Sequence, residues 1–361
     1  MSDRVFRVGI AGQGRSGYDI HARWLREATG QYKIVAVADE RDDRRQEAIR
    51  AFGCRAYPTW QELIADKDLD LFVNALASTL HPKATIEALK AGHNVVCEKP
   101  LAVKVKDMDR MTAAAKKGGK LLAPFHNNRF SPAFRKVLEI VESGKLGRLV
   151  HVRIAGGGFA RRWDWQTLQD FWGGSLNNNG SHLLDQALVL FGSETPKVFC
   201  RMKSEANSFG DADDFAALTL YGKCSPVVEV LISSYQVYPQ GDTFSVNGTC
   251  GGLVGGAEGL KWRTFDPAKA PKQGLMTGWS DARAYCKESL PWVEETWQPP
   301  KMDSDAHQYA VKLFYDNLYD VLSGKGRLVV TPEQVRRQIV VIEECHRQNR
   351  LPRLDRKFSK K

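Results

Sequence analysis

The sequence predicts an α/β plus α+β chain in two parts: an N-terminal doubly wound parallel sheet over residues 1–124, and a C-terminal open, mainly antiparallel sheet with helices over residues 125–361. Three observations predict it. Short, continuously apolar runs alternate with helical patterns as far as about residue 124. The first of these runs opens directly into a glycine-rich turn. After about residue 144, β-rich runs follow one another with turn residues between them, the pattern of an antiparallel sheet.

The first strand is Val5-Phe6-Arg7-Val8-Gly9-Ile10-Ala11, and its turn fits G-x-G-x-x-G at Gly12, Gly14 and Gly17. Each glycine has a task in a dinucleotide site. Gly12 lets the chain turn tightly, Gly14 lets a pyrophosphate approach the backbone, and Gly17 lets the new helix pack on the sheet. The helix, expected from about Gly14 to Ala28, offers free N–H groups at its start. Ile34-Val35-Ala36-Val37-Ala38 is the next strand and ends at Asp39, 22 residues after Gly17, where a carboxylate can hold an adenosine ribose. The context, strand then turn then helix, is that of a Rossmann domain. Asp42–Phe52 reads as a charged helix ended by Gly53. Thr59-Trp60-Gln61-Glu62 has the form of a capping box. Leu71–Leu76 and Asn94–Cys97 are further buried strands, separated by a helix from Pro82 to Ala91 that Gly92 closes. A helix over Asp107–Lys117 stops at Gly118-Gly119, and Leu121-Leu122-Ala123 is the last strand of this sheet. Ligands of such sheets sit beyond the C-terminal strand ends, which is where Gly12, Asp39, Ser78, Lys99 and His126 fall.

Gly12-x-Gly14-x-x-Gly17, Asp39, the stretch Asn74–His81 and above all Glu98-Lys99-Pro100 resemble the Gfo/Idh/MocA oxidoreductase family. The resemblance covers most of the chain and is densest to about residue 155. It implies that Gly12, Gly14, Arg15, Ser16, Gly17, Asp39, Ala75, Ser78, His81, Glu98, Lys99 and Asn127 contact the cofactor. It also implies that Lys99 acts at the reacting carbon and that the Lys99–Pro100 bond is cis. Asn128-Arg129-Phe130 is similar to a family segment near cofactor and substrate, which makes Arg129 a substrate-binding candidate.

In the second half, Ser131-Pro132 starts a helix with an N-cap and an N1 proline. Leu149–Ala155, Pro196–Ser204, Phe215–Tyr221, Pro226–Tyr235 and Thr243–Asn247 are the β-rich runs. Between them, Trp172–Asp185 is similar to the family's glycine-rich segment followed by D-x-x-x-H-x-x-D. His182 and Asp185 fall on its histidine and second aspartate, and Asn178 replaces its first aspartate. The spacing i, i+4, i+7 sets the three on one helical face. The resemblance makes His182 the general acid/base and Lys99 the partner of the developing oxyanion. Asn178 and Asp185 become substrate-binding candidates. Asn178 cannot act as a base or stabilise an imidazolium by charge. Arg161-Arg162-Trp163-Asp164-Trp165 is rich in flat rings, and Trp163 and Trp165 are candidates to stack on a sugar, a packed loop with subunit contacts being the equal alternative. Gly251-Gly252 and Gly255-Gly256 read as turns after the sheet. Trp262–Pro300 has no clear period and reads as long connecting structure. Asp305–Leu322 is a helix with an apolar stripe at Val311, Phe314, Leu318 and Val321. Thr331-Pro332-Glu333-Gln334 opens the last helix with a capping box, and the tail from Pro352 is expected to fray.

Composition narrows the remaining choices. The 361 residues, 43% hydrophobic, can bury ample core. No apolar run approaches the roughly 20 residues of a membrane span. The first strand follows Met1 so closely that no signal peptide fits, and the expected location is the cytoplasm. Seven scattered cysteines without C-x-x-C argue against a disulfide framework and a structural zinc, and no metal site is expected. The net charge of +10 is spread, without a nucleic-acid motif. The expected activity is hydride transfer between a nicotinamide cofactor and the secondary alcohol or ketone of a sugar, sugar derivative or polyol. NAD is the expected cofactor because Asp39 repels the 2′-phosphate of NADP, with Arg41 able to soften that preference. Two alternatives stay open on the resemblance: glycoside cleavage with a tightly held, cycling NAD, and a non-catalytic NAD-binding sensor. The family's use of one face of the second sheet for association implies a homodimer or homotetramer.

Overall fold

The computed structural model describes residues 4–205, 208–238, 242–278, 285–301 and 305–354. The end of the basic tail, and residues 279–284 of the stretch expected to be connecting structure, lie outside the described residues. In the first half, β1 (Phe6–Ala11), β2 (Tyr32–Ala38), β3 (Arg55–Tyr57), β4 (Leu71–Asn74), β5 (Asn94–Cys97) and β6 (Leu122–Pro124) form one sheet in the order β3-β2-β1-β4-β5-β6. All its pairs are parallel. Leu71, Phe72 and Val73 are fully buried, because helices cover both faces of such a sheet. The strand order reverses between β1 and β4, which opens a crevice at their C-terminal ends.

The first helix differs from expectation. Arg15–Ala22 winds as a π-helix and passes into a short α1 (Arg23–Leu25), so the regular helix ends before Ala28. The start is pressed against the strand: a Cβ on Gly17 would lie 1.7 Å from the Gly12 carbonyl oxygen. The wider turns gather Gly17, His21 and Ala22 on the buried face. α2 (Asp42–Phe52) ends at Gly53 in the left-handed region, as α5 (Val105–Gly118) does at Gly119. In α3 (Trp60–Ala65) half of the expected capping box forms. The Glu62 N–H donates to Thr59 Oγ1 at 3.3 Å, but the Glu62 carboxylate takes the Thr59 hydroxyl and not its backbone N–H. α4 (His81–Lys90) connects β4 to β5.

The second sheet has eight strands: β7 (Leu149–Gly157), β8 (Lys197–Lys203), β9 (Phe215–Tyr221), β10 (Val227–Ser233), β11 (Phe244–Gly248), β12 (Gly251–Gly256), β13 (Gly259–Thr264) and β14 (Val293–Trp297). Their order is β14-β13-β12-β11-β7-β10-β9-β8. Neighbours run antiparallel except β7 and β10, which are parallel. Two expectations are corrected here. The glycines at 251–256 are a strand and not turns: Cβ atoms on Gly251 and Gly255 would stand 2.2 Å from the carbonyl oxygens of Arg263 and Gly259, so close packing of the ribbon demands glycine. The stretch 262–300 also contributes β14 and the second half of β13. Glycine and mixed polarity hide such strands from a periodicity reading.

The inward residues of β7 to β13 face α6 (Pro132–Glu142), α7 (Asn179–Phe191) and the C-terminal half of α9 (Pro332–Gln348), where Phe134, Val137, Leu184, Leu188, Val341 and Ile342 form a second core. α6 has Pro132 at N1 as expected, but the Ser131 side chain makes no capping bond. Thr331 and Gln334 form the full capping box of α9. α8 (Ala306–Leu322) returns to the first core through Val311, Phe314, Tyr315 and Leu318, and α9 adds Val335 and Ile339 there. α8 thus packs with the first sheet, and α9 is shared by both cores.

Candidate active site

The turn after β1 leaves room for a dinucleotide where the sequence expects one. Gly12 has φ +90°, and a Cβ there would meet the Ala75 carbonyl oxygen at 2.4 Å. Gly14 is open: its virtual Cβ meets only the Arg44 guanidinium, at 3.8 Å. Arg15 and Ser16 begin the π-helical turns just beyond, so backbone N–H groups face the gap above the sheet. Asp39 stands beside this turn. Its Oδ2 accepts from the Gln13 N–H at 2.8 Å and its Oδ1 from the Arg41 N–H at 2.9 Å. Lone pairs remain on both oxygens for ribose hydroxyls. These residues fit NAD.

Lys99 ends β5 at a cis Lys99–Pro100 bond. Its Nζ donates to Asn178 Oδ1 at 2.9 Å, and its backbone N–H donates to the Glu98 carboxylate at 3.0 Å. Burial pushes the Lys99 ammonium below its ordinary value, Glu98 opposes this, and Arg15 and Arg162 add to the lowering. Glu98 is held far down, at about 2: burial works against its charge, but His21, Lys99 and His81 outweigh it. His81 is buried beneath the crevice, its ring nitrogens 2.8 Å from Pro100 O and 3.0 Å from Leu76 O. It braces the Lys99 turn from below. Ser78 is buried at the start of the short helix that follows β4, and Asn127 is buried after β6.

A cavity of about 330 Å³ opens between α7, β7, β10 and the loop before α7. Its wall includes His182, Asn178, Asn128, Arg162, Gln166 and Asp213. His182 projects from α7, with its ring 5.7 Å from that of His126. Burial lowers its pKa well below the usual histidine value, and Lys99, His126 and His307 add to this. The imidazole is therefore neutral at neutral pH and able to accept a proton. Asn178 lies just outside α7 rather than in it. Its amide is already engaged: Oδ1 accepts from Lys99, and Nδ2 donates to Gln166 Oε1 at 3.2 Å. Asn178 thus ties Lys99 to the cavity wall.

Arg129 and Asp185 do not line this cavity. They form a buried bidentate pair at 2.7 and 2.6 Å, which locks the turn after β6 to α7. The i, i+4, i+7 face is corrected accordingly: Asn178 and His182 reach the cavity, and Asp185 turns inward. Trp163 and Trp165 are also absent from the wall. Trp163 is 78% exposed with its ring edge-on to Phe209, and Trp165 meets Phe171. Arg162, from the same stretch, is the residue that enters.

Asp213 escaped the sequence reading, although an acidic pair immediately before an apolar strand was there to see. Its Oδ2 accepts from the Leu176 N–H at 2.8 Å and its backbone oxygen from the Ser175 N–H at 2.7 Å, which fixes the loop before α7. Burial raises it to about 7. Among the described residues no group of three or more His, Cys, Asp or Glu is placed to hold a metal ion. No described helix is long and apolar enough to cross a membrane. All seven cysteines are free.

Residues 6–126 match the family model described as an oxidoreductase family NAD-binding Rossmann fold, and residues 134–254 match the GFO/IDH/MocA C-terminal domain. The chain belongs to the Gfo/Idh/MocA oxidoreductase family. Among curated members, the myo-inositol 2-dehydrogenase of Thermotoga maritima is 30% identical over 227 residues, 57% of this chain and 62% of that protein. The scyllo-inositol 2-dehydrogenase (NADP(+)) of Bacillus subtilis is 27% identical over 62% of each chain. The matches thus span about three-fifths of these relatives. The same fold occurs in the WlbA dehydrogenase of Bordetella pertussis, solved with NADH and UDP-GlcNAcA. That likeness has a TM-score of 0.76 and 21% identity, over 98% of this chain and all of that one. The family's first domain is the NAD-binding one, and here it carries the Gly12–Gly17 turn and Asp39.

Proposed function

We propose that this family member is an NAD-dependent dehydrogenase that acts on a secondary alcohol, or the matching ketone, of an uncharged sugar or polyol. The observation that carries this is Lys99 tied through Asn178 to the cavity in which neutral His182 lies. Bound NAD supplies the hydride acceptor. In the oxidising direction His182 takes the hydroxyl proton, and the Lys99 ammonium stabilises the oxygen as its negative charge develops. The polar lining supports an uncharged, hydroxylated substrate. Asn128, Gln166, Thr167, Asn179, Ser208 and Ser233 offer amides and hydroxyls. The one cation of the described wall, Arg162, is taken by Asp164 at 2.8 to 3.0 Å and by Gln166 at 2.7 Å. A carboxylate or phosphate on the substrate would find there no cation that is not already paired with a carboxylate. We place self-association on the uncovered face of the second sheet, where Phe199, Tyr221 and Val227 are exposed.

The test is NADH formation from NAD with a panel of inositols, hexoses, glycosides and their uronic acids, with Lys99→Ala as control. Turnover of a neutral polyol or sugar that is lost in the variant supports the reading. Turnover confined to the acids would overturn the substrate class. Glycoside cleavage without free NADH would overturn the net reaction.

A further inference from the structure

Behind Lys99 runs a buried chain of polar groups for which the reaction just described has no use. Glu98 lies beneath the cis turn with a side chain 7% exposed, and His21 Nε2 stands 3.4 Å from its Oε1, at zero exposure. The other ring nitrogen of His21, Nδ1, is 2.7 Å from the Tyr315 hydroxyl. Tyr315 is fully buried, and its backbone oxygen accepts from the Tyr32 hydroxyl at 2.8 Å. The links come from three places far apart in sequence: the π-helical turns after the glycine motif, the end of β5, and α8. Short π-helical segments often occur at functional sites, and this one sets His21 on the buried face. The ring lies against Phe125, with centroids 4.3 Å apart, and is edge-on to Tyr315.

The protons of this chain follow from its ends. Its neighbours hold the Glu98 carboxyl below its ordinary value, and a carboxylate can only accept. The 3.4 Å approach of His21 Nε2 is an ion-pair distance without a formed hydrogen bond, and a proton on Nε2 is what makes that approach favourable. In a neutral ring Nδ1 is then the acceptor, and the Tyr315 hydroxyl donates to it. Burial holds that phenol well above its ordinary value, so it keeps its proton. One Glu98 oxygen faces His21, and the other receives the Lys99 backbone N–H. An unsupported buried carboxylate would rotate or take up a proton. Either change weakens its field at the Lys99 ammonium.

We infer that His21 and Tyr315 are positioning residues for Lys99, acting through the Glu98 carboxylate. Their role is to keep that carboxylate charged and aimed, so that Lys99 keeps its own proton in a site whose other neighbours discourage it. Glu98 faces His21, Lys99 and His81, with His126 and His307 also in its field; Lys99 faces Glu98, Asn178, His182, Arg15 and Arg162, with His126 and His307 also in its field. Glu98 is the sole carboxylate among these charged neighbours, and its orientation sets the balance. The significance of the inference rests on the proposed role of Lys99, but its measurement does not need turnover.

The test follows acetylation of Lys99 by an amine-reactive ester as a function of pH, read by mass spectrometry on the full-length protein, with the surface lysines as internal reference. Four forms are compared: wild type, His21→Asn, His21→Gln and Tyr315→Phe. Asn retains a polar group near Tyr315 but cannot reach Glu98, whereas the amide of Gln can stand in for Nε2. The expected result is a fall of about one pH unit in the Lys99 midpoint in His21→Asn, tenfold in its proton affinity. Tyr315→Phe should give a smaller fall in the same direction, and His21→Gln should return the midpoint toward wild type. Surface lysines should not move. An unchanged Lys99 midpoint in Tyr315→Phe and in whichever His21 variants fold would overturn the inference, even if melting temperature falls, because a merely structural role predicts that result. Absence of NAD-dependent turnover in wild type would instead refute the proposed function and leave the midpoint result standing.

Discussion

Replacing Asn178 by Asp restores a carboxylate beside Lys99 and so tests how the site balances charge. Asn178 Oδ1 lies 2.9 Å from Lys99 Nζ. A carboxylate at that distance shifts the pKa of a buried ammonium upward, by about 1–3 units for an opposite charge within reach. His182 lies one helical turn beyond and is held well below its ordinary value by burial and by Lys99, so its pKa should rise too. In the oxidising direction His182 must be neutral and Lys99 protonated. Activity therefore falls as pH drops through the His182 pKa and as it rises through that of Lys99. Wild type should show an acid limb well below pH 6.5. In Asn178→Asp both limbs should move up, each by about one unit or more. There is a structural cost. Asp cannot donate to Gln166 Oε1, which already accepts from Arg162, and two facing acceptors cost about 1–3 kcal/mol unless the Gln166 amide turns and gives up Arg162. The assay is the pH profile of kcat/KM for NADH formation, with thermal denaturation alongside. Limbs that stay where they are in wild type, in a variant that folds, would refute the reasoning.

Three further outcomes follow from particular contacts. Asp39→Ala removes the acceptor of the Gln13 and Arg41 N–H groups and the ribose anchor. NADH affinity, read by fluorescence titration, should weaken by about 1.5–3 kcal/mol, and NADPH affinity by less; equal losses would contradict the assignment. Arg129→Leu strands the buried Asp185 carboxylate, and unfolding by urea should show a loss of about 3–5 kcal/mol. The double variant with Asp185→Leu should lose less than the two singles together, and simple additivity would count against the pair. Asp213 is raised to about 7, so the folded state holds this proton where the unfolded chain releases it near its ordinary value. Between about pH 4 and 7 that difference removes stability as pH rises, about 3–4 kcal/mol in all. Asp213→Asn should flatten this part of the stability profile, and an unchanged slope would show that the proton is not there.

Much of the first half is legible in the sequence because local signals and tertiary demands agree. Leu71-Phe72-Val73 reads as a strand buried on both faces and is one. Gly12 and Gly17 must be glycine because the backbone of one presses on Ala75 and that of the other on Gly12. The candidate site is legible only where a motif keeps its residues together, as in Glu98-Lys99-Pro100 and the segment ending in His182. Partnerships are not. Nothing local shows that Asn178 reaches across 79 positions to Lys99, that Arg129 spends its charge on Asp185, or that α8 returns to the first core. Arg162 and Trp163 are neighbours of opposite fate: one faces the cavity and the other solvent. Periodicity cannot separate them in an irregular loop. The glycine strand Gly251–Gly256 was hidden for a different reason, since its close backbone contacts demand a residue that strands otherwise disfavour.

The most direct test of the central claim is a crystal structure of the protein with NAD and the polyol identified by the turnover panel. The account predicts the diphosphate on the Gly12–Gly17 turn, the adenosine ribose on Asp39, and the nicotinamide at the mouth of the cavity. The reacting hydroxyl should lie within hydrogen-bond distance of both Lys99 Nζ and His182 Nε2. A nicotinamide turned away from that cavity, or a reacting hydroxyl that touches neither residue, would contradict it.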